Sequence, residues 1–117
     1  DGYRERLAGV PGIQFNAEPE GGFNSVWITS VVFDQSTGMT KARAIEELGK
    51  LGVPARPFFY PLSSLPAYPG AEAVYREKNP RAYDISSRAI NLSCSSNLTA
   101  QQLDIIANGI KTILGHR

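Results

Sequence analysis

Cysteine and histidine are almost absent from this 117-residue sequence, which holds one of each, Cys94 and His116. A lone cysteine cannot form an internal disulfide, and one thiol with one imidazole offers no metal-ligand spacing. We therefore expect neither a disulfide nor a metal site. We interpret Cys94, which precedes the last predicted helix, as an inert structural thiol, and His116 as a frayed tail residue rather than a general base.

An excess of one charge and a long apolar run are also missing. Twelve basic and eleven acidic residues leave a formal net charge of +1, too little for nucleic-acid binding driven by phosphate neutralisation. No apolar run approaches the length of a membrane span, and no signal-peptide pattern is present, so we expect no membrane partner and a cytoplasmic chain. The content of 42% hydrophobic and 20% charged residues is typical of one globular domain, here residues 1–117.

Hydrophobic periodicity predicts alternating helices and strands along the chain. The predicted helices cover residues 1–7, 40–51, 71–77, 81–88 and 100–114, and the predicted strands cover residues 13–15, 25–33, 53–59 and 89–92. Together they predict a two-layer α+β domain, with a small, mainly antiparallel sheet and helices on one face. Residues 1–7 resemble the last turns of a helix, in which Tyr3 and Leu7 would share one face, packed against material outside this sequence.

Helix ends carry the clearest local signals. Thr99 and Gln102 have the spacing of a capping box at the start of the last helix, which Gly115 would end. Gly52 has the place of a left-handed residue after the second main helix, with Leu48 and Val53 in contact around it. Within the long predicted strand, Trp27 is interpreted as a core residue.

The candidate binding segment is residues 55–68, which contains one arginine, four aromatic residues and three prolines. Proline restricts its own φ and the conformation of the residue before it, so Arg56, Phe58 and Tyr60 would be held outward. Arg56 beside Phe58 and Phe59 suits an anionic ligand that carries a ring. Alternatives are a proline-rich connection pinned to the surface by aromatic packing, and a structural salt bridge for Arg56.

Catalytic groups are scarce, and we predict no catalytic residue and no covalent cofactor in this chain. Its lysines fall at helix ends or on polar faces, whereas a Schiff-base lysine needs desolvation; they are Lys41, Lys50, Lys78 and Lys111. Ser63 and Ser64 are candidates either for hydrogen bonds to ligand hydroxyls or for capping the turn before Leu65.

The chain resembles the C-terminal small domain of the DegT/DnrJ/StrS family, the sugar aminotransferases of the aspartate-aminotransferase fold (fold type I) that use pyridoxal phosphate. The resemblance covers nearly all of the chain and is carried by residues 3–7, Trp27 with 31–34, 48–53, 56–62, 65–68, 87–92 and 98–99. The Arg-Pro-Phe-Phe-Tyr-Pro run is most similar to enzymes that aminate C4 of a nucleotide-linked keto-sugar, such as perosamine synthases. The family commonly has a histidine where this sequence has Ser63.

The resemblance implies a fragment of a larger enzyme, with residues 1–8 as the end of the inter-domain helix. The cofactor lysine and phosphate-binding residues would belong to a missing N-terminal large domain, so this chain alone should be inactive. The whole enzyme, a homodimer, would transfer an amino group from glutamate to a nucleotide-linked keto-sugar, as in polysaccharide or O-antigen biosynthesis. The substrate-binding residues would be Arg56, Phe58, Phe59, Tyr60 and Ser63. Two alternatives remain open, a free-standing small-molecule-binding or regulatory domain and a structural dimerisation module.

Overall fold

The structure, a computed structural model, describes residues 2–116. In chain order the elements are α1 (Gly2–Arg6), β1 (Ile13–Phe15), β2 (Ser30–Phe33), α2 (Lys41–Lys50), β3 (Arg56–Pro57), α3 (Ala71–Tyr75), α4 (Pro80–Ser87), β4 (Ala89–Asn91) and α5 (Ala100–Ile113). Short 3-10 turns cover Gln35–Thr37 and Leu62–Ser64. Within residues 2–116, no helix has the length and apolarity needed to cross a membrane.

The four strands form one antiparallel sheet in the order β1-β2-β4-β3. Side chains alternate between the two faces, so Val31, Phe33 and Ile90 point into a core shared with α1, α2 and α5. The predicted α+β architecture, a small sheet with its main helices on one face, is therefore confirmed. On the opposite face Ser30 and Asn91 are buried, and the Ser30 hydroxyl donates to Asn91 Oδ1 at 2.8 Å.

The predicted helix ends are also confirmed. The Thr99 hydroxyl accepts from the backbone N–H of Gln102 at 3.2 Å, and the Gln102 side chain accepts from the Thr99 N–H at 2.9 Å. Gly52 has φ +72°, and the Val53 N–H donates to the Leu48 carbonyl at 2.9 Å, which is the Schellman bond. Residues 99–102 and 48–53 thus fix the ends of the two helices that cover the core.

Two strands are shorter than predicted. The strand predicted over 25–33 is confined to Ser30–Phe33, because Asn16 takes its backbone groups: the Asn16 side chain donates to Ile28 O and accepts from the Ser30 N–H. The strand predicted over 53–59 forms ladder pairs only at Arg56–Pro57, where prolines remove backbone donors. Helices α3 and α4 lie within two residues of their predicted bounds.

The prediction that Tyr3 and Leu7 face material outside the sequence is wrong. Both are buried in the core of the chain itself, under α5. The Tyr3 hydroxyl donates to the Ser93 carbonyl at 2.7 Å, and Arg6 Nε lies 2.5 Å from Asp104 Oδ1. Helix α1 is therefore an integral part of this domain.

Candidate functional site

Arg56 lies on β3, directly opposite Asn91 of β4. Its side chain is exposed, and its guanidinium makes no hydrogen bond or ion pair within residues 2–116. The alternative of a structural salt bridge is therefore not observed there. Arg56 borders a cleft of about 380 Å³ whose other walls include Ile28, Asn91 and Cys94. None of the cleft's lining residues is acidic, so the guanidinium faces it as an uncompensated positive charge.

Phe59 has two aromatic neighbours. It is 53% exposed, and its ring centroid lies 5.6 Å from that of Phe58 in an edge-to-face arrangement. The centroid of the Trp27 ring lies 6.1 Å from that of Phe59, with the two rings tilted by 32°. Trp27 is 75% exposed, so its interpretation as a core residue is wrong. A run of apolar, β-branched residues predicts a buried strand, whereas residues 25–29 form a loop that leaves the indole exposed.

Tyr60 lies in a different environment, over the amine of Lys41. Lys41 Nζ is 3.9 Å from the Tyr60 ring centroid and donates to the Phe58 carbonyl at 3.4 Å and to Ser86 Oγ at 3.3 Å. The Ser86 hydroxyl in turn donates to the Phe59 carbonyl at 2.9 Å. Burial lowers the pKa of Lys41. The amine therefore fastens the aromatic segment to α2 and α4.

Sequence reasoning missed this role of Lys41, which was assigned to a helix end or polar face. One signal was available: Lys41 is the first residue of α2, where the helix dipole disfavours a cation. A lysine at that position indicates that another interaction holds it.

Ser63 lies apart from Arg56. Its hydroxyl is hydrogen-bonded to that of Tyr83 at 2.8 Å, and it borders a separate, mostly apolar cleft of about 470 Å³ with Leu62 and Tyr75. The Ser64 hydroxyl donates to the Pro61 carbonyl at 2.7 Å, which is the turn-capping role considered for these serines. The predicted site residues thus do not share one cleft. Arg56, Tyr60 and Ser63 border three different clefts, and the Phe58–Phe59 pair lies between Arg56 and Tyr60 in the sequence.

A surface ion pair fixes the helix that supports Tyr83 and Ser86. Arg88 Nη2 lies 2.6 Å from Asp84 Oδ2, and the same guanidinium donates to the Phe33 carbonyl on β2. Hydrogen bonds from Arg88 and from Gln35 hold the pKa of Asp84 at about 2. Helix α4 is therefore anchored to the sheet at its C-terminal end.

Two further observations concern groups that react or bind metal ions. Cys94 is exposed, and no group of three or more histidine, cysteine or acidic side chains among residues 2–116 is arranged to hold a metal ion. Residues 56–60 present the guanidinium of Arg56, which has no partner among residues 2–116, and the aromatic rings of Phe58 and Phe59. Lys41 holds the backbone of this segment in place. Such a set can recognise a planar ring joined to an anion.

The sequence of this chain matches one protein family and one of its characterised enzymes. The family model of the DegT/DnrJ/EryC1/StrS aminotransferases matches residues 1–111. GDP-perosamine synthase of Vibrio cholerae is 35% identical over 109 residues, which are 93% of this chain and 29% of that protein.

Solved structures share the fold. Spr1654 of Streptococcus pneumoniae in its PMP form superposes with a TM-score of 0.79 at 23% identity over 98% of this chain and 29% of that one. DesI, solved in the presence of its TDP-sugar product, superposes with a TM-score of 0.71 at 21% identity, over 97% of this chain and 29% of that one. The chain thus spans about 29% of the length of these proteins. It belongs to the DegT/DnrJ/EryC1/StrS aminotransferase family.

Proposed function

We propose that this chain is the substrate-side small domain of an aminotransferase that moves an amino group from glutamate to a nucleotide-linked keto-sugar. The observation that carries the proposal is Arg56, whose exposed guanidinium has no partner among residues 2–116 and which lies three residues before the exposed Phe59, in a chain 35% identical to a GDP-perosamine synthase. Guanidinium groups bind phosphate oxygens through paired hydrogen bonds, and rings stack on bases or sugars.

Pyridoxal phosphate, the cofactor that the family resemblance implies, supplies the electron sink and the carrier of the amino group. The residues described here do not fit it. Lys41, whose pKa burial lowers, is engaged with Phe58 O, Ser86 Oγ and the Tyr60 ring, while Lys50 pairs with Glu46 on the surface. We therefore place the cofactor lysine in a larger domain that precedes this one, and residues 1–8 in the connection to it.

Within that enzyme the chain binds and orients the substrate. Arg56 contacts the anionic part of the sugar nucleotide, and Phe58 and Phe59 wall its ring-bearing part. Tyr60, fixed over Lys41, and Ser63, held by Tyr83, border the sugar side. The complete enzyme acts as a cytoplasmic homodimer with its sites between subunits, in the supply of amino sugars for polysaccharides.

The test uses the complete protein that carries this chain. Arg56→Ala removes a charge-assisted contact to phosphate, so KM for the nucleotide sugar should rise about tenfold or more, with kcat less affected. Arg43→Ala is the control, because Arg43 is also exposed but borders a different cleft, with Pro11 and His116. An unchanged KM in the Arg56 variant contradicts the substrate role, and lower stability or weaker dimerisation instead supports the structural alternative.

A second experiment tests where the chemistry resides. The 117-residue chain is mixed with pyridoxal phosphate and treated with borohydride, and labelled lysines are counted by mass spectrometry. We expect only scattered, substoichiometric labelling. A specific stoichiometric adduct on one lysine would show that the chain itself holds the cofactor. Micromolar binding of nucleotide sugars to the isolated chain would favour the free-standing binding domain.

A further inference from the structure

Helix α1 is fixed to the body of the domain at several points. The Tyr3 hydroxyl donates to the Ser93 carbonyl at 2.7 Å, and the Arg6 guanidinium pairs with Asp104 of α5. The side chains of Tyr3 and Leu7 are buried in the core. A segment that enters the domain through α1 therefore arrives at a fixed point, whereas most domain boundaries lie in flexible linkers.

A cleft of about 510 Å³ lies between α1 and the loop that joins β1 to β2, residues 16–29, which we call the 16–29 loop. Tyr3 and Arg4 belong to one wall of this cleft, and Phe23 belongs to the other. Because Tyr3 and Arg4 directly follow Gly2, any part of a protein joined to the chain before Gly2 lies beside the cleft.

The 16–29 loop has a well-defined path. At its base, the Asn16 side chain donates to the Ile28 carbonyl at 3.1 Å. Near its tip, Asn24 Oδ1 accepts from the Val26 N–H at 2.9 Å, and the Asn24 amide donates to the Ala17 carbonyl at 3.0 Å. The side chains of two asparagines thus determine the shape of the loop.

Phe23, in this loop, is the most exposed large apolar side chain among residues 2–116, at 88%. One exposed phenylalanine is ordinary on a protein surface. Phe23, however, lies three residues before Val26, whose φ of +44° is unfavourable for a β-branched residue. Phe23 contributes nothing to the core of the domain, so core packing of this ring does not offset that unfavourable conformation.

Chain continuity identifies what covers this surface. The match to GDP-perosamine synthase covers 29% of that protein, so most of it lies outside the match, and the proposed function places a larger domain before this one. That domain connects through residues 1–8, and its nearest part consequently lies against the cleft between α1 and the 16–29 loop. A second copy of the chain has no such connection to this surface.

The groups around the cleft indicate the chemistry of the contact. Arg4 and Glu18 line it beside Phe23, so an apolar ring stands among charged groups of both signs. An apolar centre with a polar rim is the usual composition of a contact surface between folded units. The matching surface has an apolar pocket for the ring and polar groups of both charges around it.

We propose that the larger domain docks on the surface formed by α1 and the 16–29 loop, with Phe23 as its apolar anchor. This inference rests on the proposed function and names the surface that holds the chain in the complete enzyme. The surface is separate from the Arg56 cleft, because the two clefts have no lining residue in common.

Hydrogen exchange followed by mass spectrometry tests the docking surface. Peptides covering residues 17–26 should exchange about tenfold more slowly, or slower still, in the complete protein than in the 117-residue chain. Phe23→Ala in the complete protein should remove most of this protection, and it leaves the domain folded because the ring is exposed within it. Val74→Ala is the control, since Val74 is 53% exposed on α3 and does not border the cleft; it should leave the exchange of residues 17–26 unchanged.

Equal exchange of residues 17–26 in the two proteins overturns the docking surface, as does unchanged protection in the Phe23 variant. Protection that increases with protein concentration also overturns it, because a second copy of the chain then covers the loop.

An assay of amino transfer separates this inference from the proposed function. If the complete protein aminates a nucleotide sugar while residues 17–26 exchange as fast as in the isolated chain, the docking surface is wrong and the aminotransferase proposal stands. If the loop is protected and Phe23→Ala removes the protection, but no nucleotide sugar is aminated, only the docking surface stands.

Discussion

Replacing Asn91 by alanine tests how the sheet supports the Arg56 strand. Asn91 is 3% exposed and lies between β2 and β3, accepting from the Ser30 hydroxyl at 2.8 Å and donating to the Pro57 carbonyl at 3.4 Å. The alanine variant leaves the buried Ser30 hydroxyl without its acceptor, which costs about 1–3 kcal/mol, while the long bond to Pro57 contributes less. We expect the free energy of unfolding to fall by about 2 kcal/mol, a large share of the 5–15 kcal/mol typical of a domain.

Urea unfolding followed by circular dichroism measures this loss. Trp27 is a poor reporter of unfolding because it is already exposed in the folded state. Asn108→Ala is the matched control, since Asn108 lies on the exposed side of α5. The Ser30→Ala, Asn91→Ala double variant should lose about 1 kcal/mol less than the sum of the single variants. Additive losses, or an Asn91 variant within about 0.5 kcal/mol of the parent, would refute the buried hydrogen bond.

Three further changes test the scaffold. The pKa of Asp84 falls from 3.8 to about 2 on folding, so the contribution of its carboxylate to stability is present above pH 3.8 and lost as the pH falls through 2. Urea midpoints measured during an acid titration should therefore show Asp84→Asn less stable than the parent at neutral pH and equal to it below pH 2. A difference that stays constant with pH would show that the ion pair with Arg88 is not the source of the stabilisation. Gly109→Val should cost about 2 kcal/mol by thermal unfolding, because a Cβ on Gly109 would lie 3.0 Å from a core side chain; an unchanged midpoint would mean that α5 can shift. Burial raises the pKa of Tyr3 from 10.0 to about 12, so Tyr3→Phe should lose about 1 kcal/mol below pH 10. Between pH 10 and 12 only the parent is further destabilised, so the difference should vanish and then reverse. A loss that persists unchanged up to pH 12 would assign it to packing.

Sequence reasoning succeeded where the determining interactions are local. The capping pair Thr99 and Gln102 is three residues apart, and the Schellman contact between Leu48 and Val53 spans five. Because each of these interactions joins residues no more than five positions apart, a short stretch of sequence contains both partners. The bounds of α2 and α5 were therefore predictable.

It failed where distant parts of the chain compete for the same groups. Residues 25–29 have the composition of a strand, but Asn16 and Asn24 bind their backbone, and Trp27 is consequently exposed. No local pattern shows that Lys41 and Ser86 meet at the aromatic segment. The sequence shows that Arg56 and Ser63 are seven residues apart, but it does not show which cleft each side chain borders. In the structure Ser63 borders a different cleft from Arg56.

The amine of Lys41 joins three parts of the chain at one nitrogen. It contacts the Phe58 carbonyl and the Tyr60 ring on one side and Ser86 of α4 on the other, while its own backbone begins α2. A segment held in this way has no hinge of its own, so it cannot swing open independently of the two helices. Residues 58–60 are therefore a fixed surface of the domain, whose position depends on where α2 and α4 pack.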